Sequence, residues 1–244
     1  MAADYSIKLP CSVRQKMPQE VLFELVKIRV TAQHLIAQTL ELYPNQDPYD
    51  CDVELSVTRP NGEKKTARAT VREMLAATEE LESLSSSCQG CRANVNDRSF
   101  GCIGKINYPI EKASEAWLVS RLPEDSNSPT LALLFDYLSE NNIDAAPVRN
   151  MRAQTNIFQS RTPIERSWGG WLRKRNISSD QIIHMLLFVG DASSKNAKLI
   201  SKLLRLPDVL SESHPKSDNI EQFKSFFCAL VMAGRLDSSV EIDS

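Results

Sequence analysis

Residues 88–110 read Cys88-Gln-Gly-Cys91-Arg-Ala-Asn-Val-Asn-Asp-Arg-Ser-Phe-Gly-Cys102-Ile-Gly-Lys-Ile-Asn-Tyr-Pro-Ile110. The second part of this segment, 103–110, reads as a strand stopped by Pro109. The first part brings three cysteines and two glycines into one loop, so the segment reads as a cysteine-rich turn feeding a strand. Working backwards, Thr70-Val-Arg-Glu73 is a capping box, in which the Thr hydroxyl and the Glu carboxylate each satisfy a free amide. A helix is expected from there to about Leu84. Val53, Leu55 and Val57 alternate before the turn Arg59-Pro-Asn-Gly62, which predicts a hairpin of 52–58 with 63–69. Pro18 opens a long helix over Gln19–Leu42, and residues 5–9 (Tyr-Ser-Ile-Lys-Leu) read as a half-buried strand.

Working forwards, 111–122 reads as a helix with Trp117 and Leu118 facing inward. Pro123-Glu-Asp-Ser-Asn-Ser-Pro129 has the composition of a linker. Beyond it the pattern is helical. Helices are expected over Leu131–Ser139, after the capping boxes Thr162-Pro-Ile-Glu165 and Ser178-Ser-Asp-Gln181, and over 196–206 and 219–233, with Gly234 as a C-cap. The expected fold is α+β: a small antiparallel sheet with helices and a Cys-rich metal-binding loop in the first half, and an all-helical second half. The expected domains are 1–125 and 126–244.

The chain has 244 residues, 42% of them hydrophobic, and a net charge of -2. Such a length can bury roughly 70% of its unfolded surface. This balance excludes a wholly disordered chain, a collagen-like fibre and a strongly basic nucleic-acid binder. The eight glycines argue against Gly-rich phosphate loops. No signal-like start and no apolar run of membrane-spanning length is present, so a cytoplasmic location without membrane insertion is expected.

In that compartment thiols stay reduced, and the cysteine cluster points to metal rather than disulfides. Cys88, Cys91 and Cys102 supply three soft anionic ligands, and zinc fits this set better than an iron–sulfur cluster, whose usual spacings are missing. Gly90, Gly101 and Gly104 lie beside them, where amides turn toward the sulfurs. A fourth ligand is expected from His34, His214, Asp97, Cys11, Cys51 or water; a protein ligand closes a structural site, and water leaves an open catalytic one. The metal-free alternative has Cys88 and Cys91 flanking a loop and Cys102 packed as a small hydrophobe.

Residues 145–176 hold seven cations, Arg149, Arg152, Arg161, Arg166, Arg173, Lys174 and Arg175, against Glu165 alone. Phe158, Trp168 and Trp171 lie among them, the two tryptophans on one face of an expected helix. Guanidinium forks recognise carboxylates and phosphates, so the stretch suits an acidic protein or nucleic-acid partner. The plain alternative is a solvated or internally paired face. The 178–206 helix pair, with Lys195, Lys198, Lys202 and Arg205 on one side and Leu199, Leu203 and Leu206 turned inward, loosely resembles a helix-turn-helix.

No phosphate-loop, GxSxG, HExxH or dinucleotide motif occurs. Residues 101–105 are too short for a phosphate loop. His184 and His34 read as core histidines, and Glu111 and Glu115 as a solvated pair on one helix. The expectation is a cytosolic zinc-stabilised binding or regulatory protein with a basic face for an anionic partner. Two rivals are a metal- or cysteine-dependent enzyme using an open site at Cys88, Cys91 and Cys102, and a DNA-binding regulator built on 178–206.

Overall fold

The computed structural model describes residues 2–58, 64–95, 98–153, 156–169, 174–206 and 217–243. The chain forms two compact units, one of Met1–Leu9 with Arg92–Ser244 and one of Pro10–Cys91. The smaller unit is thus an insertion in the sequence of the larger. The boundary expected at 125/126 falls inside the larger unit. Its linker-like loop is tied down there: Arg166 Nη1 donates to the Leu122 carbonyl at 2.7 Å and Trp168 Nε1 to the Pro123 carbonyl at 2.9 Å.

The fold is α+β, as the patterning predicts. The larger unit is built on a three-stranded antiparallel sheet. Strand β1 (Ala2–Ile7) lies between β4 (Ile103–Asn107) and β7 (Val240–Asp243). Tyr5 sits opposite Gly104, and a Cβ at Gly104 would stand 2.3 Å from the Tyr5 hydroxyl oxygen. Only glycine lets the strand pass beneath that ring.

Helix α10 (Asp218–Arg235) covers the sheet. Its apolar residues recur at 220, 223, 226, 227, 230 and 233, the spacing of one helical face. Phe223, Phe226 and Phe227 are fully buried. Phe226 meets Tyr5 edge-on with centroids 4.9 Å apart. Phe227 stacks on Trp117 at 5.6 Å, which docks α5 (Lys112–Ser120). Around this core lie α6 (Pro129–Glu140), α7 (Ala146–Met151), α8 (Ser179–Ile183), which widens into a π turn over His184–Phe188, and α9 (Ser194–Leu203).

The second half is mainly helical, but it also contributes β7 and a hairpin of β5 (Glu165–Trp168) with β6 (Arg175–Ser178). The Thr162-Pro-Ile-Glu165 box therefore starts no helix. Ile164 instead exchanges hydrogen bonds with Ser179: its N–H donates to the Ser179 hydroxyl and its carbonyl accepts from the Ser179 N–H. That pairing draws 165–168 into a strand, so Trp168 lies on a strand, and Trp171 falls outside the described residues. The Ser178 box does cap α8, with both reciprocal bonds formed. Gly234 lies inside α10 rather than past its end, where a Cβ would come 3.0 Å from Lys198 Cγ. It permits the close α9–α10 contact.

In the smaller unit, α1 (Ser12–Lys16) and α2 (Gln19–Leu42) precede the hairpin β2 (Asp52–Thr58)–β3 (Lys64–Thr70). The expected turn at 59–62 lies outside the described residues. The Thr70 capping box forms as expected and starts α3 (Val71–Ala77). The single helix expected to Leu84 breaks at Thr78, with α4 (Glu79–Ser85) following. The buried Thr78 hydroxyl donates back to the Leu75 carbonyl at 3.0 Å, the local bonding by which threonine competes with a helical ladder. Ala32, Val71 and Met74 form the centre of this unit's core, with Ile28, Leu35 and Ile36 around them.

Candidate functional site

Three places merit attention: the cysteine turn, the basic stretch and a buried ionic cluster. In the first, Gln89 (φ -66°, ψ 124°) and Gly90 (φ 69°) give Cys88-x-x-Cys91 the backbone of a type II turn. The Cys91 N–H donates to the Cys88 carbonyl at 3.2 Å. A Cβ at Gly90 would meet nothing within 4 Å, so the position needs glycine for its positive φ and not for space. Cys88 is buried and Cys91 half-buried, and none of the six cysteines forms a disulfide.

Cys102 belongs to the larger unit, in the turn entering β4, where its carbonyl accepts from the Ile7 N–H at 3.0 Å. Cys88 and Cys91 belong to the smaller one. Among the described residues, no three His, Cys, Asp or Glu side chains gather as a metal site. Of the expected fourth ligands, His34 is exposed on α2, a correction to its reading as a core residue. Cys51 is half-buried near Thr39 and Gln46, Cys11 is the N-cap residue of α1, and Asp97 and His214 lie outside the described residues.

The basic stretch divides by environment. Arg166 is half-buried and bonded to the Leu122 carbonyl, with Glu124 at 3.4 Å. Arg173 lies outside the described residues. Arg149, Arg161, Lys174 and Arg175 are exposed and have no carboxylate partner among the described residues. Arg175 rests on an aromatic ring. Its guanidinium lies 3.7 Å from the centroid of the Phe135 ring. Trp168, directly opposite Arg175 across the hairpin, meets the same ring edge-on at 5.9 Å. Phe135 projects from α6, and β5 and β6 hold the other two. One face of the guanidinium is covered while the residue as a whole is exposed, a pre-oriented fork.

Arg152, expected on the same basic face, is instead 3% exposed. Its five N–H groups are all used. Nε donates to Asp180 Oδ1 at 2.5 Å. Nη1 donates to Glu115 Oε1 at 3.1 Å and to the Ser160 carbonyl at 2.8 Å. Nη2 donates to Glu115 Oε2 and to the Ser179 hydroxyl. The same hydroxyl donates to Glu115 at 2.5 Å, and the Phe158 ring lies beneath the guanidinium at 4.3 Å. Burial alone would lower the Arg152 pKa, but the hydrogen bonds and charges of Glu115 and Asp180 outweigh it and raise the pKa.

Glu115 and Asp180 are both fully buried, so the solvated reading of Glu115 is corrected. Glu111, for its part, accepts from the Ser217 hydroxyl at 2.7 Å. The signal for Glu115 was present: it lies three and four residues before Leu118 and Val119, on the apolar face. Asp180 occupies the first turn of α8, where a negative charge is favoured by the unpaired amides. With every Arg152 donor occupied, the cluster joins α5, the turn after α7, the 160–164 loop and α8, and leaves no guanidinium N–H for a substrate.

The 178–206 helix pair is also largely committed to packing. α9 buries Ala197, Ile200 and Leu203, while Leu199 is only half-buried. Lys198 pairs with Asp237 at 3.2 Å. His184 is half-buried, and its Nδ1 donates to the Asp144 carbonyl at 2.6 Å. No helix among the described residues is long and apolar enough to cross a membrane. Compared with protein-family models, with curated proteins and with solved structures, the chain matches none.

Proposed function

We propose that this chain is a binding protein, zinc-stabilised and cytosolic, whose larger unit recognises an anionic partner through Arg149, Arg161, Lys174 and Arg175. The observation that carries this reading is the Arg175 fork, which is exposed, stacked on Phe135 and without a carboxylate partner among the described residues. An unpaired guanidinium held in one orientation loses little freedom when it meets a carboxylate or phosphate. Catalysis is the weaker reading, because the buried ionic cluster found among the described residues has its arginine fully occupied.

Zinc at Cys88, Cys91 and Cys102 is supported by the spacing and by the type II turn that glycine permits at Gly90. Elemental analysis of protein purified under reducing conditions tests it: about one zinc per chain is expected from a single site, and its absence removes the metal from the proposal. The binding reading is tested by titrating fluorescent poly-glutamate and an oligothymidylate of equal charge into the full chain. Saturable, salt-sensitive binding is expected for an anionic probe, and loss of it on combining Arg149→Glu, Arg161→Glu and Lys174→Glu. Binding of neither probe at low salt overturns the reading.

A further inference from the structure

The Arg175–Phe135–Trp168 group says more about which anion is recognised. We infer that Arg175 is a specificity-determining residue that anchors a side-chain carboxylate of an acidic peptide; this rests on the anionic-partner reading above. The first observation is that the group offers a single pre-oriented fork. Within β6, Ile177 is next on the Arg175 side and is buried, so Arg175 is the one cation on that side of the strand. One planar fork matches one carboxylate in two parallel N–H···O bonds, whereas a phosphate backbone is tracked by a row of cations.

The second observation is that the two described aromatic rings beside Arg175 are already engaged. The Phe135 face is covered by Arg175, and Trp168 is buried with its indole N–H bonded to the Pro123 carbonyl. Neither offers the open ring face on which a nucleic-acid base stacks.

The test uses the full chain, with labelled poly-glutamate and an oligothymidylate of equal charge as probes. The proteins are wild type, Arg175→Lys, which keeps the charge but loses the planar fork, and Phe135→Leu, which keeps Arg175 but removes the ring. Each variant's thermal unfolding is recorded beside its affinity. The peptide is expected to bind more tightly than the oligonucleotide. Both substitutions are expected to weaken it roughly tenfold, the scale of one lost charge-assisted contact, with Arg175→Lys melting as the wild type does. Peptide binding unchanged in Arg175→Lys overturns the fork while leaving the anionic surface intact. Tighter oligonucleotide binding replaces the peptide with a nucleic acid. Binding of neither probe removes both this inference and the reading beneath it.

Discussion

Arg152 uses its whole donor set inside the larger unit, and the energetics of such a group are asymmetric. Removing one partner of a buried ion cluster leaves the other charges without compensation, at a cost of about 3–5 kcal/mol. Arg152→Ala is therefore expected to lower the urea midpoint sharply, and Arg152→Lys to remain well below wild type because an ammonium cannot reproduce the five-donor fork. Arg149→Ala, on an exposed cation without an ion pair among the described residues, is expected to change stability by less than about 0.5 kcal/mol. Equal urea midpoints for Arg152→Ala and Arg149→Ala would contradict the cluster.

Tyrosines give the pH dependence at this scale. Burial raises the pKa of Tyr5, with the Cys228 charge adding to it, and raises that of Tyr137. Burial first, then the Asp4 and Asp243 carboxylates, push Tyr108 up to about 12. A folded-state pKa above the unfolded value of about 10 favours the neutral phenol in the fold. The resulting stability is present below that pH and lost as the pH rises through about 12. Ultraviolet titration of wild type against Tyr108→Phe should show one fewer late-ionising phenol in the variant. Late ionisation of the same size in both would contradict the assignment.

Among the elements, the β1–β4 pair depends on one missing side chain. Gly104→Ala would drive a methyl group into the Tyr5 ring, and overpacking of this kind costs about 1–3 kcal/mol. Pairing it with Tyr5→Ala, which opens the space, should give a double variant less destabilised than the sum of the two; strict additivity would deny the contact. Local chemistry explains which elements were legible in advance. The boxes at Thr70 and Ser178 form because the donor and acceptor lie three residues apart on one backbone. The box at Thr162 shows the limit of that reading. Ser179, fifteen residues on, claims the Ile164 backbone, and long-range pairing overrides a local preference.

At the scale of the whole molecule, the α+β character followed from the periodicities, whereas the division into units did not. Composition marked 123–129 as a linker, yet Trp168 holds its Pro123 carbonyl and Arg166 holds the Leu122 carbonyl just before it. The insertion of Pro10–Cys91 rests on β1 pairing with β4 and β7. Those partners lie far along the chain, and no local pattern announces them. The candidate site was legible in part for the same reason. Seven cations stood out by density, but Arg152 is sorted from Arg175 only by what surrounds each: two buried carboxylates for the first, a ring and solvent for the second.

The central claim, that the exposed cations of the larger unit meet an anionic partner, is tested most directly by the salt dependence of poly-glutamate binding to the full chain. The account predicts saturable binding whose affinity falls steadily as salt rises, as screening of exposed charges requires, with a shallower slope once Arg175 is replaced by alanine. Binding that is absent at low salt, or whose slope is the same with and without Arg175, would contradict it.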